Sequence, residues 1–265
     1  MIKANALTLI KGKPQAPDAV ARGCQDIVIR CSGETDAVPG AVEELAFRMF
    51  TLDSELKEIL NSLRVLYISK KEDFHISLAG KPARIQEEIV SLFRSMYGVL
   101  AEIRWCPDCE MLHGRLVFSP RAQAFITGTY LELAVCRVVR AVLEKLSQKY
   151  HTAFKLYRNV RVSTKDGRLI NEFDLVIENT DDSIFYVIEV KSGKNFREFD
   201  RLSAIGKEYG IVPQRLLLVD SYLSEPQSEI VEYFCGYYAS GLVQDTLEAK
   251  IAGMLENDLP QERRD

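Results

Sequence analysis

The stretches LINEFDLVIEN (residues 169–179) and SIFYVIEVKSG (residues 183–193) decide how this chain folds. Each is an apolar run rich in β-branched and aromatic residues, and the polar break Asn179-Thr180-Asp181-Asp182-Ser183 favours a turn. They read as consecutive β-strands. Side chains alternate along a strand, so Glu172 and Asp174 share one face, as do Glu189 and Lys191. If the strands pair as a hairpin, Asp174, Glu189 and Lys191 converge on one sheet face. Two carboxylates and an amine are costly to desolvate there without a counter-ion, and a divalent cation would supply that charge. The pattern reads as a metal-dependent phosphodiesterase site. A plainer reading is that Glu-Val-Lys blunts an edge strand against aggregation. Against it, Phe185, Tyr186, Val187 and Ile188 precede the motif and suit a strand inside a sheet.

A third acid lies upstream. GTYLELAVCRVVRAVLEKLSQKY (residues 128–150) carries Leu131, Val135, Val138, Val139, Val142 and Leu146 at helical period, with Gly128 and Thr129 where the helix begins. Glu132 falls in the first turn and borders the apolar face. Acids are also ordinary at helix N-termini, where the dipole favours them. Glu132 alone therefore decides little; with the two strands it gains weight.

The order of a helix with Glu132, a strand, a strand with Asp174, a strand with Glu189-x-Lys191, a helix and a strand resembles the PD-(D/E)xK nuclease superfamily across residues 119–225. In wording, Asn171-Glu172-Phe173-Asp174 and Ile188-Glu189-Val190-Lys191-Ser192-Gly193, with Gly128-Thr129-Tyr130-Leu131-Glu132 ahead, are most similar to the branch that includes the effector nucleases of CRISPR signalling systems. Phe173 stands where the proline of the family name would precede Asp174. The resemblance implies hydrolysis of phosphodiester bonds in DNA or RNA. It assigns Asp174, Glu189 and the Val190 carbonyl to Mg²⁺ or Mn²⁺, and Glu132 to a water of the metal shell or a second ion. Lys191 would orient the attacking water or stabilise developing charge, and is not assigned as the base. Glu172 is read as a solvated or structural carboxylate. A homodimer and a nucleotide activator also follow only from the resemblance. Such effectors usually carry a Rossmann-like sensing domain at the N-terminus, and residues 1–118 show no Gly-rich phosphate loop after a strand.

Substrate contact is expected from two groups of cations. Lys194, Arg197 and Arg201 follow the Gly193 turn at helical spacing, and Lys155 and Arg158 lie on the strand before Asp174. Such patches neutralise phosphates; equally, they are the ordinary make-up of a solvated face. The net charge of −4 excludes a chain that binds nucleic acid as a whole polyelectrolyte, so binding must be local. With 47% hydrophobic and 27% charged residues the composition is that of a globular protein. No apolar run reaches the ~20 residues that span a bilayer, and no signal-peptide pattern opens the chain, so a cytoplasmic location and no membrane partner are expected. The six cysteines are then expected as free thiols.

The first 118 residues are less legible. ALTLIKG and DIVIRCSG read as strands, and AVEELAFRMFTLDSELKEILNSL as helical. RVLYIS and FHISLAG read as a hairpin, and residues 82–100 as a helix. AEIRWCPDCEMLHGRLVF reads as two strands around Cys106-Pro107-Asp108-Cys109. That turn is like a zinc knuckle with His113 nearby, but only Cys24 and Cys31 or His75 could complete four ligands, and a plain hairpin turn is the simpler reading. QRLLLVDS reads as a fourth strand and PQSEIVEYFCGYYASGL as a covering helix. Phe118-Ser119-Pro120-Arg121 marks the expected boundary between an α+β accessory or sensing domain (residues 1–118) and the nuclease domain (residues 119–265). The fold class is α/β: a C-terminal, restriction-endonuclease-like mixed sheet flanked by helices, with an N-terminal α+β domain. The competing function is a non-catalytic nuclease-fold module that binds nucleic acid, a signalling nucleotide or a partner protein.

Overall fold

The structure, a computed structural model, describes residues 27–32, 39–164, 169–182, 184–193 and 199–259. Packing divides the chain into two units, residues 38–134 and residues 1–37 together with 135–265. The fold is the expected mixed α/β arrangement: a mixed sheet with helices, plus a smaller antiparallel sheet.

The larger unit is built on β1 (Ile27–Ser32), β5 (Phe154–Thr164), β6 (Leu169–Asn179), β7 (Ile184–Lys191), β8 (Leu216–Asp220) and β9 (Tyr238–Ser240), in that spatial order. The pairs β1–β5, β5–β6 and β6–β7 are antiparallel, whereas β7–β8 and β8–β9 are parallel. The LINEFDLVIEN and SIFYVIEVKSG strands therefore form the expected hairpin, with Leu175 opposite Ile188 and Asn179 opposite Ile184. Its second strand sits inside the sheet, between β6 and β8. Within DIVIRCSG, Ile27–Ser32 is a strand, but it joins this sheet beside β5 rather than the unit formed by residues 38–134. Local pattern specifies a strand without naming a partner so far along the chain. ALTLIKG lies outside the described residues.

Alternation along the strands separates two buried layers. One combines Val176, Phe185, Val187, Leu216, Leu218 and Ala239 with Leu202 and Tyr209 of α6 (Phe199–Tyr209) and Val231 of α7 (Glu225–Cys235). The opposite-facing Leu175, Ile177, Ile188, Leu217 and Val219 are also fully buried. Helix α8 (Gln244–Glu256) packs against β8 and β9, and is joined to α5 (Tyr130–Tyr150) by Lys145–Glu248 at 2.8 Å and Lys149–Glu256 at 3.1 Å. Helix α7 ends at Gly236, whose φ of 74° is the left-handed turn that glycine accepts without strain. The expected continuous helix over PQSEIVEYFCGYYASGL is thus a helix, a break and strand β9.

The smaller unit holds α1 (Gly40–Thr51), α2 (Asp53–Ile68), α3 (Ala83–Ser95), the short α4 (Pro120–Ala124), and β2 (Asp73–Ser77), β3 (Leu100–Cys106) and β4 (Met111–Leu116) in spatial order β2-β4-β3. Two details differ from the sequence reading. RVLYI is helical, because Leu56, Ile59, Leu60, Leu63 and Tyr67 continue one buried stripe through it and tertiary burial overrides β propensity. Strand β2 pairs instead with β4. The Tyr67 hydroxyl also fastens α2 to the chain after β4, donating to the Val117 carbonyl and accepting from the Ser119 N–H at 2.9 Å. Cys106 and Cys109, expected as free thiols, are joined as a disulfide across the tight turn, where their Cα atoms stand 5.7 Å apart and within bonding reach. Cys136 and Cys235 are not joined in a disulfide. Among the described residues no helix is long and apolar enough to cross a membrane.

Two positions in this unit give direct tests. A Cβ at Gly114 would stand 2.5 Å from Phe74 Cζ and 2.6 Å from Ile103 Cδ1, and Phe74 is buried. Gly114→Ala should destabilise the protein by about 1–3 kcal/mol through overpacking, measured by urea unfolding. Asp53, buried at the start of α2, has its carboxyl pushed up to about 6 by desolvation, against the lowering influence of Lys57 and Arg64. The folded state then holds this proton more tightly than the unfolded chain, so the stability it contributes is complete below about pH 4 and lost as pH rises through about 6. Raising the carboxyl that far above its ordinary value costs the ionised form about 3 kcal/mol, which exceeds the ~0.3–1 kcal/mol that the helix dipole returns to it. Asp53→Asn should raise the urea midpoint at pH 7 and leave it nearly unchanged at pH 4; equal gains at both pH values would contradict the assignment.

Candidate active site at the end of the central strands

The ladder between β6 and β7 runs from Asn179–Ile184 to Leu175–Ile188 and stops there. One residue further along β6 is Asp174. Across from it on β5, between Arg158 opposite Leu175 and Val160 opposite Phe173, stands Asn159, a non-glycine residue at φ 49° where the backbone bends away from extended geometry. Past this point a side chain takes over from the ladder: Asp174 Oδ2 accepts the Val190 N–H at 2.7 Å. The Ser221 N–H donates to the Lys191 carbonyl at 3.0 Å, so the Lys191 carbonyl faces β8. Carbonyls alternate along a strand, so that of Val190 faces the opposite way, toward Asp174.

Lys191 completes the group. Its amine donates to Glu189 Oε1 in a short hydrogen bond and lies 4.0 Å from Asp174 Oδ2. One ammonium is thus shared by two carboxylates, and all three side chains are more than two-thirds buried. Burial works to lower the Lys191 amine, but Glu189 and Asp174 outweigh it and hold the amine above its ordinary value, against the like charge of Arg201. The expected convergence of Asp174, Glu189 and Lys191 is present in the geometry. Glu172, read as structural, pairs with Arg161 at 3.1 Å.

The other candidates are distributed as follows. Arg201 is exposed on α6, the helix that Leu202 and Tyr209 anchor on the Glu189 face of the sheet, and its charge acts on Lys191. Lys194 and Arg197 lie outside the described residues. Lys155 is opposite Glu178, four residues before the Asn159 position and so about 13 Å along the strand from it. Arg158 is opposite Leu175, next to the bend. Glu132 is half-buried in the first turn of α5 and belongs to the unit of residues 38–134.

One acid escaped the sequence reading. Asp220 ends β8 directly beside Lys191 in the parallel register and is 3% exposed. Its Oδ1 accepts the Tyr222 N–H at 2.8 Å. The run LLLVD announces a strand, but the parallel register that sets its last residue beside Lys191 has no local signature. The donors Asp174, Glu189 and the Val190 carbonyl are all hard oxygens, the set that suits Mg²⁺ or Mn²⁺. Among the described residues no three His, Cys, Asp or Glu side chains gather closely enough to hold an ion by themselves. Any ion here therefore depends on the two carboxylates, the backbone carbonyl and water.

No protein-family model matches this sequence, and no curated protein does. Solved structures with the same fold include protein VC1899 from Vibrio cholerae, 18% identical, with a TM-score of 0.57 over 88% of this chain and 59% of that one. Can2 from Sulfobacillus thermosulfidooxidans, solved in complex with cyclic tetra-adenylate, is 14% identical, with a TM-score of 0.52 over 84% of this chain and 57% of that one. The chain thus spans under three fifths of either neighbour, and at these identities the likeness establishes the fold.

Proposed function

We propose that the chain is a metal-dependent nuclease of the PD-(D/E)xK type that hydrolyses phosphodiester bonds of DNA or RNA. The observation that carries this reading is the Lys191 ammonium shared between Glu189 and Asp174 where β6 parts from β7. Asp174, Glu189 and the Val190 carbonyl would hold Mg²⁺ or Mn²⁺. A bound ion supplies Lewis-acid polarisation of the phosphodiester and neutralises its charge. Lys191 remains a cation beside the scissile phosphate and stabilises the charge that develops on its oxygens. Arg201 adds a second positive charge on the approach to Lys191. The Val190 N–H fixes the Asp174 carboxylate, so its orientation needs no substrate.

A nucleotide activator belongs to the same proposal. Can2 was solved with cyclic tetra-adenylate, and the motif wording of this chain resembles the effector nucleases of CRISPR signalling. A CRISPR-associated role, a homodimer and a cytoplasmic location accompany that reading. The second reading, a nuclease-fold binding module without catalysis, draws on one observation: among the described residues no third acidic or imidazole side chain joins Asp174 and Glu189 closely enough to complete an ion site.

Cleavage assays on single- and double-stranded DNA and RNA, with Mg²⁺, Mn²⁺ or EDTA and with or without cyclic tetra-adenylate, separate the two. Cutting should require the metal and should fall about a hundredfold or more in Asp174→Ala and Lys191→Ala. Identical behaviour of wild type and Asp174→Ala on every substrate would leave only the binding reading.

A further inference from the structure

His75 and His113 are two of only three histidines in the chain, and the β2–β4 register sets them directly opposite one another. Opposed residues on one face of an antiparallel pair have Cβ atoms about 4.5–5.5 Å apart. Here the two imidazoles also turn inward: Nδ1 stands 2.7 Å from Nδ1, with the rings edge to face at 4.9 Å between centroids. At that distance a single proton lies between them, one ring donating and the other accepting. Their hydrogen bond is exposed, so it adds little to stability. What it does create is a pair of imidazole nitrogens aimed at one point on the surface.

We propose that this pair binds a late first-row divalent ion, Zn²⁺, Ni²⁺ or Cu²⁺, through the two Nδ1 atoms, with water completing the shell. Imidazole is a preferred ligand of these ions, and hard cations such as Mg²⁺ favour oxygen instead. Metal–nitrogen bonds of about 2.0–2.1 Å at a tetrahedral angle place the two nitrogens ~3.3 Å apart, so a small rotation of each ring opens the present contact enough to admit the ion. From the neutral pair, the donating ring moves its proton to Nε2 and both Nδ1 lone pairs become available. No net proton is released.

The surroundings define the ligand set. Arg115, farther along β4, is occupied by Glu72, Glu102 and Asp73. Arg104 lies beside His113 in the β3–β4 register and presents a like charge, so affinity comes from the imidazoles and not from the local field. The sulfurs of Cys106 and Cys109 are bonded to each other and take no part. The site is separate from Asp174 and Glu189 in the chain, in its packing unit and in donor chemistry.

The test is titration calorimetry of the full chain with NiCl₂ and ZnCl₂, without reductant and with excess Mg²⁺ present. Wild type should bind one ion per chain. His75→Gln and His113→Gln should each weaken binding at least tenfold, while Asp174→Ala and the double variant Cys106→Ser/Cys109→Ser bind as wild type. Absence of binding by wild type, wild-type affinity in either histidine variant, or a loss that follows the cysteines overturns the assignment. Should a glutamine variant fail to fold, diethyl pyrocarbonate modification of wild type reads the same site. The ion should protect His75 and His113 from the reagent, located by mass spectrometry, and unprotected rings refute the proposal.

Discussion

The hydrogen bond from the Val190 N–H to Asp174 Oδ2 is the constraint on which the candidate site depends. Up to Leu175 and Ile188 the two central strands are joined by backbone pairing, and the residues there are apolar and buried. Continuing that ladder by two residues would set Phe173 opposite Val190 and satisfy its N–H with another backbone group. The ladder stops short of it, and the Asp174 carboxylate takes the place of the missing carbonyl. The substitution fixes Asp174 from two sides, by its own strand and by its neighbour. It also explains how a charged residue sits beside a strand as apolar as Phe185–Ile188.

The resulting cluster is not built for stability. Glu189, Asp174 and Lys191 are largely removed from water, with two carboxylates set around one ammonium. Replacing such groups with apolar residues of similar volume is commonly neutral or stabilising, whereas keeping them carries a desolvation cost. Asp220 adds a fourth ionisable side chain at the same end of the parallel strands β7 and β8. Carboxyl ends of parallel strands are where α/β sheets bind ligands, because the chain leaves the sheet there and exposes polar groups. The position and the cost of burying these charged groups point to the same end of the sheet.

Much of this was legible in the sequence. Alternating apolar runs located β6, β7 and β8, and the period-2 rule put Glu189 and Lys191 on one face before any pairing was known. What stayed hidden depended on partners distant in sequence. Neither the placement of β1 beside β5, nor Asp220 beside Lys191, nor His75 opposite His113 has a local signature, since each is a matter of register between remote segments. RVLYI misled for a different reason: its β-branched and aromatic content favours a strand, but the buried stripe from Leu56 to Tyr67 continues through it as a helix. The end of α7 rests on a single residue, Gly236, within a run that is otherwise helical in pattern.

The charge of the whole molecule sets the last constraint on how a polyanion could reach this site. At −4 the long-range field does not draw nucleic acid in, and beyond the ~8 Å Debye length at physiological salt it is screened in any case. Attraction must therefore be generated within a few ångströms of Lys191. Helix α6 is placed to do so: Leu202 and Tyr209 bury its inner face against the sheet layer that also carries Glu189, and this holds Arg201 close enough to act on the Lys191 amine. Lys155, about 13 Å along β5 from the bend, lies beyond that range. Among the described residues, Lys191 and Arg201 are therefore the cations that a phosphate at the end of β7 would meet if the site acts on nucleic acid, with Lys155 farther off along β5.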